Sequence, residues 1–153
     1  MRLTRLKYTI RHIENEDYIF IEGKVLNPLD PSKSEKVEFL VDTGASGCAI
    51  SEDLAVKLGL EKKGYVDVSL ADGSSKRVKA GFILIDLAGK RLYTWTIYDE
   101  GFTPILGIDV MKALGFHIDV SEKKVLIPYK GIRIKKLRLF ANLKLFNSNS
   151  WNF

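Results

Sequence analysis

Glu38-Phe39-Leu40-Val41-Asp42-Thr43-Gly44-Ala45-Ser46-Gly47-Cys48-Ala49-Ile50 runs an apolar segment into one carboxylate, then through a series of small residues and back into apolar sequence. Val37, Phe39, Leu40 and Val41 read as a strand that becomes buried on both faces at its end, because consecutive apolar residues leave no polar face for solvent. A carboxylate in that position is costly unless its oxygens receive hydrogen bonds. Thr43, Gly44, Ala45 and Ser46 offer backbone amides, two hydroxyls and room for close backbone approach. The pattern suits a reactive carboxylate at the floor of a cleft. The plainer alternative is an Asp-Gly turn between two ordinary strands.

Upstream, residues 3–13 alternate loosely, with Tyr8, Ile10 and His12 on one face. Residues 18–25 are rich in aromatic and β-branched side chains and predict a strand. Residues 27–34 read as a surface turn whose two prolines exclude a central strand, and 35–41 form the strand that delivers Asp42. Downstream, Cys48-Ala49-Ile50 is a short return strand. Ser51 then caps a short helix with Glu52 and Asp53 in its first turn, an apolar stripe at Leu54, Ala55, Leu58 and Leu60, and a stop at Gly59.

Val66, Val68 and Leu70 alternate with polar residues up to Ala71-Asp72-Gly73-Ser74, where Asp-Gly signals a hairpin. The chain returns through 75–87, turns at Ala88-Gly89-Lys90 and runs out again along 91–98. Thr103-Pro104-Ile105-Leu106-Gly107, in which Gly107 allows close approach, leads into a short helix over 108–114 that Gly115 ends. Residues 116–120 and 125–129 read as a final hairpin. Many short strands with helices at two points predict an all-β domain with short helices.

The chain has 153 residues, 46% of them hydrophobic and 28% charged, which suits one domain over residues 1–129 with an extension over 130–153. No apolar stretch reaches membrane-spanning length. The basic N-terminus is followed by no apolar core, so no secretory signal is expected. Cys48 is the single cysteine, which excludes an intrachain disulfide, and with only His12 and His117 a zinc site is poorly supplied; no metal or cofactor is expected. The formal charge of +5 is uneven: eight basic residues and no acidic one follow Glu122, while the first 122 residues carry a net −3.

Asp42-Thr43-Gly44-Ala45-Ser46 resembles the catalytic motif of the retroviral-like (retropepsin-type) single-domain aspartic proteases. The resemblance extends over roughly residues 17–129 and includes Ile105-Leu106-Gly107 before helix 108–114, a hydrophobic-hydrophobic-Gly element in the expected order. It implies a retropepsin-like acid protease fold. The hairpin at Ala71, Asp72, Gly73 and Ser74 takes the place of the substrate-covering flap, without the glycine-rich flap sequence of the retroviral enzymes. Only one Asp-Thr-Gly occurs, and Asp109 lacks the small-residue turn. The resemblance therefore implies a homodimer with one active site on its twofold axis.

On that resemblance the two Asp42 carboxylates share a proton and activate a water to hydrolyse a peptide bond, the behaviour that aspartic proteases exemplify generally. Thr43 is expected to brace the partner motif, and Gly44 to donate its amide to the carboxylate. Ala45 lacks the hydroxyl found at this place in pepsin-like enzymes, which implies a pH optimum nearer neutral. An extended peptide or protein substrate would add β-type hydrogen bonds. Ile50 and Ile105 are candidates for pocket walls or for core.

Two further readings stand beside the enzyme. One is a catalytically silent protease-fold dimer that binds peptides or partner proteins. The other is an unrelated β protein with a coincidental turn. For Cys48 the expectation is a small buried residue. The basic residues of 130–144 fit a dimer-packing or solvated tail, an anionic-membrane contact or a nucleic-acid contact; the absence of any nucleic-acid motif weighs against the last. The expected location is cytoplasmic, with the tail able to hold the protein at a membrane face.

Overall fold

The structure, a computed structural model, describes residues 7–70, 72–115, 117–119 and 124–126. In chain order these form β1 (Tyr8–Ile13), β2 (Glu16–Asn27), β3 (Asp30–Val41), β4 (Cys48–Ser51), α1 (Glu52–Lys57), β5 (Gly64–Ser69), β6 (Ser75–Leu87), β7 (Lys90–Asp99), β8 (Ile105–Leu106), α2 (Ile108–Leu114), β9 (His117–Asp119) and β10 (Lys124–Leu126). The first eight strands make one sheet in the order β1-β2-β3-β8-β4-β7-β6-β5. A further pairing of β2 with β6 closes it through Lys24↔Asp86, Val25↔Ile85 and Leu26↔Leu84. Six strands therefore form a ring, and the β1 and β5 ends project from it. β9 and β10 pair antiparallel, as the final hairpin expected from the sequence.

Period-two alternation divides the apolar side chains between two clusters. Phe39 and Val41 of β3, Cys48 and Ile50 of β4 and Leu106 of β8 join Ile21, Val25, Ile83, Ile85, Leu87 and the buried faces of both helices. Leu40, Ala49 and Ile105, the alternate residues of the same three strands, join Tyr18, Ala45, Val68, Val78, Ala80 and Ile97. β3, β8 and β4 thus separate two apolar compartments, which is why their sequences are continuously apolar. The second compartment carries Val68 and Val78 from the β5–β6 hairpin. Trp95 packs in the sheet, edge-on to Phe82 at 4.7 Å between ring centroids.

The local signals explain most of the elements. Ser51 Oγ accepts the Leu54 amide at 3.2 Å and opens α1, with Glu52 and Asp53 in its first turn. Gly115 ends α2 in the left-handed conformation at φ 70°. The β1–β2 turn differs from the usual chemistry, because Glu14 and Asn15 both take positive φ, at 49° and 68°, with no glycine present.

The expected turn over residues 27–34 is shorter than the sequence suggested. β3 already begins at Asp30, and Asn27 pairs with Asp30 while Leu26 pairs with Ser34. Pro31, Ser32 and Lys33 fall within that register shift, where a residue without an N–H breaks no ladder bond.

Asn27, only 6% exposed, ties the turn to α1. Its Nδ2 donates to the Leu58 and Gly59 carbonyls at 2.9 and 3.1 Å, and its Oδ1 accepts the Leu29 amide at 2.8 Å. Asn27→Ala strands these buried groups and is expected to cost about 2 kcal/mol, read as a lower urea midpoint at unchanged m-value.

Candidate active site

The Asp42 turn is held from three sides. On the first, β3 and β8 run parallel, with Leu40↔Ile105 and Val41↔Leu106 in register. The Leu40 amide donates to Pro104 O at 2.8 Å and the Asp42 amide to Leu106 O at 3.0 Å, so the strand is paired up to the carboxylate-bearing residue. On the second, β4 leaves the turn antiparallel to β8 at Ala49↔Ile105 and parallel to β7. The chain entering the motif and the chain leaving it therefore flank the same two-residue strand. On the third side lies the start of α2, where the Ile108 amide donates to Ala45 O at 2.8 Å and the Asp109 amide to Ser46 O at 3.2 Å. Amides that a helix start leaves unpaired thus meet carbonyls that a tight turn leaves unpaired.

Gly107 makes that contact sterically possible. A Cβ built there would lie 2.2 Å from Gly47 O, 2.6 Å from Gly47 N and 2.8 Å from Ala45 O. All three are backbone atoms, so no side-chain rotation relieves the clash. The expected close approach at Gly107 is found, and its partner is the far end of the aspartate turn.

Inside the turn, Asp42 Oδ1 accepts the Gly44 amide at 2.8 Å, and Asp42 O accepts the Ala45 amide at 3.2 Å. Asp42 is 1% exposed. Its Oδ2 and the Ser46 hydroxyl are buried without a hydrogen-bond partner among the described residues. Burial raises the carboxyl pKa above the ordinary 3.8, and the Gly44 and Ala45 amides partly offset it. Thr43 is half-buried and Ala45 buried. Asp109 sits in the first turn of α2 with its amide on Ser46 O.

The hairpin expected over the cleft is the β5–β6 hairpin. Ala71 lies outside the described residues. Asp72, Gly73 and Ser74 form an exposed tip. The Leu70 amide donates to Ser74 O at 2.8 Å, the Gly73 amide to Leu70 O at 3.0 Å, and Asp72 Oδ1 accepts the Ser74 amide at 2.8 Å. Gly73 supplies the φ of 84° that this turn needs.

Ile50 and Ile105, considered as pocket walls or core, have no exposed surface and belong to different clusters, so in the single chain they are core. Cys48 is buried and its thiol pKa is pushed up to about 12 by burial, which suits packing rather than nucleophilic chemistry. Among the described residues no group of three or more His, Cys, Asp or Glu side chains could hold a metal ion. Residues 127–153, with the basic extension, lie outside the described residues. Sequence reasoning missed Ser46 and Gly47 as the residues that dock on α2. Their signal was the small-residue run continuing past Ala45.

A carboxylate on a tight turn at the end of a buried strand, braced by a hydrophobic-hydrophobic-Gly element within a closed β-sheet, defines the retropepsin-like aspartic protease fold. The chain belongs to the gag-polyprotein putative aspartyl protease family, whose profile matches residues 33–113. Its fold is similar to that of EIAV protease complexed with the inhibitor HBY-793, at 18% identity and a TM-score of 0.50, covering 67% of this chain and 93% of that one. A retropepsin-like aspartic protease from Rickettsia conorii aligns at 21% identity over 80% of this chain and 90% of its own, with a TM-score of 0.49. The retroviral protease-like domain of Ddi1 from Leishmania major aligns at 17% identity over 71% and 87%, with a TM-score of 0.47. No curated protein sequence matches the chain.

Two outcomes follow from this geometry. Gly107→Ala should cost about 1–3 kcal/mol through forced backbone displacement, whereas Gly64→Ala, with open space around its Cβ, should leave thermal stability nearly unchanged. A Gly107→Ala protein as stable as the wild type would refute the steric account.

The second outcome concerns pH. A folded-state pKa raised above 3.8 means that the contribution of Asp42 to stability is fully present below 3.8 and is lost as pH rises through the folded value. The melting temperature of the wild type relative to Asp42→Asn should therefore fall between acid and neutral pH.

Proposed function

We propose that the protein is a homodimeric aspartic endopeptidase, in which two Asp42 carboxylates meet across a twofold axis. The observation that carries this reading is the asymmetry of the carboxylate: Oδ1 is held by the Gly44 amide, while Oδ2 is buried without a hydrogen-bond partner among the described residues. A buried carboxylate oxygen of that kind is expensive in isolation. A water or a second carboxyl placed against it would supply the missing bond. The described residues offer one such turn, so the second carboxyl comes from a second copy of the chain.

Two carboxylates at close approach do not both ionise readily, so the pair holds one proton across a wide pH range. The ionised member takes a proton from the bound water as its oxygen attacks the peptide carbonyl carbon. The protonated member donates to the carbonyl oxygen. A tetrahedral gem-diol forms, and its collapse breaks the C–N bond as a proton passes to the leaving nitrogen. Thr43, half-buried next to Asp42 in the chain, braces the partner turn in this reading. The substrate is an extended peptide bound between the dyad and the β5–β6 hairpins, with backbone hydrogen bonds supplying affinity.

The test is cleavage of a diverse peptide mixture by the purified protein, read by mass spectrometry from about pH 3 to about pH 8, with sedimentation analysis of the same sample. Cuts are expected from a dimer, lost in Asp42→Asn and in the presence of a transition-state inhibitor of aspartic proteases. Without a hydroxyl at Ala45 to stabilise the ionised pair, the optimum should lie nearer neutral than that of a gastric enzyme. Cuts that survive Asp42→Asn would place the chemistry elsewhere. A folded dimer that cuts nothing would favour a peptide-binding module.

A further inference from the structure

The β5–β6 hairpin carries charges that no step of the proposed chemistry uses. One pair stays within it: Asp67 and Arg77 face each other in the ladder, with Arg77 Nε donating to Asp67 Oδ1 at 2.8 Å and Nη2 to Oδ2 at 3.1 Å. Two other pairs leave the hairpin for the body of the domain. Lys76, two residues beyond Ser74, pairs with Asp99 at the end of β7. Lys79 pairs with Glu52, the first residue of α1. Between them lies Val78, buried with Val68 in the second apolar cluster.

We propose that the Lys76–Asp99 and Lys79–Glu52 pairs fasten this hairpin to the domain body and set how far its tip, Asp72 to Ser74, lifts to admit a peptide. The proposal rests on the reading of the hairpin as the substrate-binding flap.

The physical division of labour is between a pivot and two ties. The apolar contact at Val68 and Val78 is non-directional and tolerates rotation. The ion pairs fix direction, because each joins a side chain on β6 to one on a different element. The two lysines flank Val78, so they sit on either side of the pivot. Lys76 stands three residues from Gly73, which at about 3.3 Å per residue leaves a free lever of about 10 Å beyond the outer tie.

Asp99 is well placed for such a tie, since its side chain is only 19% exposed, against 47% for Lys76. Burial pushes its carboxyl up, and the Lys76 ammonium, the Glu100 amide and Lys79 together more than offset this, so the group is held below the usual carboxylate range. Lys79 lies in one cross-strand row with Tyr65 and Tyr98, so the inner tie is set against three strands and the start of α1. Lys76, Asp99, Lys79 and Glu52 are positioning residues, acting on substrate through the hairpin they hold.

The experiment compares amide hydrogen exchange of the full chain in the wild type, Lys76→Gln, Lys79→Gln and Lys76→Arg. Arg91→Gln serves as the control, because it removes a similar pair, with Asp86, at the opposite end of the β6–β7 hairpin. Exchange over residues 64–78 is expected to rise about fivefold in each Lys→Gln variant and to stay near wild type in Lys76→Arg and Arg91→Gln. With a peptide substrate, the Lys→Gln variants should raise KM several-fold more than they lower kcat.

Unchanged exchange in both Lys→Gln variants would overturn the proposal, as would raised exchange with an unaltered KM. A wild-type protein that cut nothing would refute the protease reading, while the exchange comparison would still decide whether the pairs fasten the hairpin.

Discussion

The contact between Gly107 and the backbone of Ala45 to Gly47 is the constraint on which the rest of this structure depends. It brings together two segments more than fifty residues apart in the chain, and it does so through backbone alone. The start of α2 has spare amides, the end of the Asp42 turn has spare carbonyls, and each settles the other. Only a residue without a Cβ lets them approach. Once Gly107 is seated, β8 must lie between β3 and β4, and the alternation of Leu40, Ala49 and Ile105 against Val41, Ile50 and Leu106 divides the two apolar compartments. The position of Asp42 is therefore set by pairing on both sides and by the helix beyond, and hardly at all by the conformational preference of its own turn.

That rigidity bears on the carboxylate. A flexible turn would let Asp42 swing toward water and relieve its desolvation. A turn fixed at both ends holds it in place, with one oxygen bonded to the Gly44 amide and the other buried without a partner among the described residues. The raised pKa expresses the same fact thermodynamically: the fold holds a proton on a group that the isolated chain would ionise more readily. Sites that break the rule of satisfied burial are where chemistry is usually found, because the missing interaction is left for a substrate, a water or a second subunit.

Much of this was legible in the sequence where the signal was local. The continuous Phe39-Leu40-Val41 run announced burial on both faces. Ser51 announced a cap, Gly115 a stop, and Gly107 a close approach. The legible part ended where pairing became non-local. Closure of the sheet rests on three β2–β6 residue pairs, each joining residues about sixty positions apart, and no periodicity encodes which strands meet. The prolines of residues 27–34 argued for a surface turn and against a strand, yet residues 30–34 belong to β3, because a register shift absorbs Pro31 within it. The β1–β2 turn uses Glu14 and Asn15 at positive φ, against the usual demand for glycine, and so carried no signal. Ile50 and Ile105 were ambiguous for a related reason, since an apolar residue beside a motif looks the same whether it walls a pocket or fills a core.

The site joins two regimes of stability. The floor, from Val41 through Gly47 to Ile108, is held by backbone hydrogen bonds in a dry setting, where each bond is strong and its loss costly. Beyond its ladder with β7, the β5–β6 hairpin is held by Val68 and Val78, with Val66 and Leu70 packed beside them, and by ion pairs partly open to water, where each contact is weaker and more exchangeable. Catalysis of the proposed kind needs both. Carboxylates must be placed to within a fraction of an ångström, which calls for the first regime, and a peptide must enter and leave, which calls for the second. A fold that spent strong interactions on the hairpin would bind slowly, and one that spent weak ones on the floor would lose the geometry of the dyad. The division in this chain between buried backbone bonds at the turn and ionic ties at the hairpin is the one that such a reaction would call for.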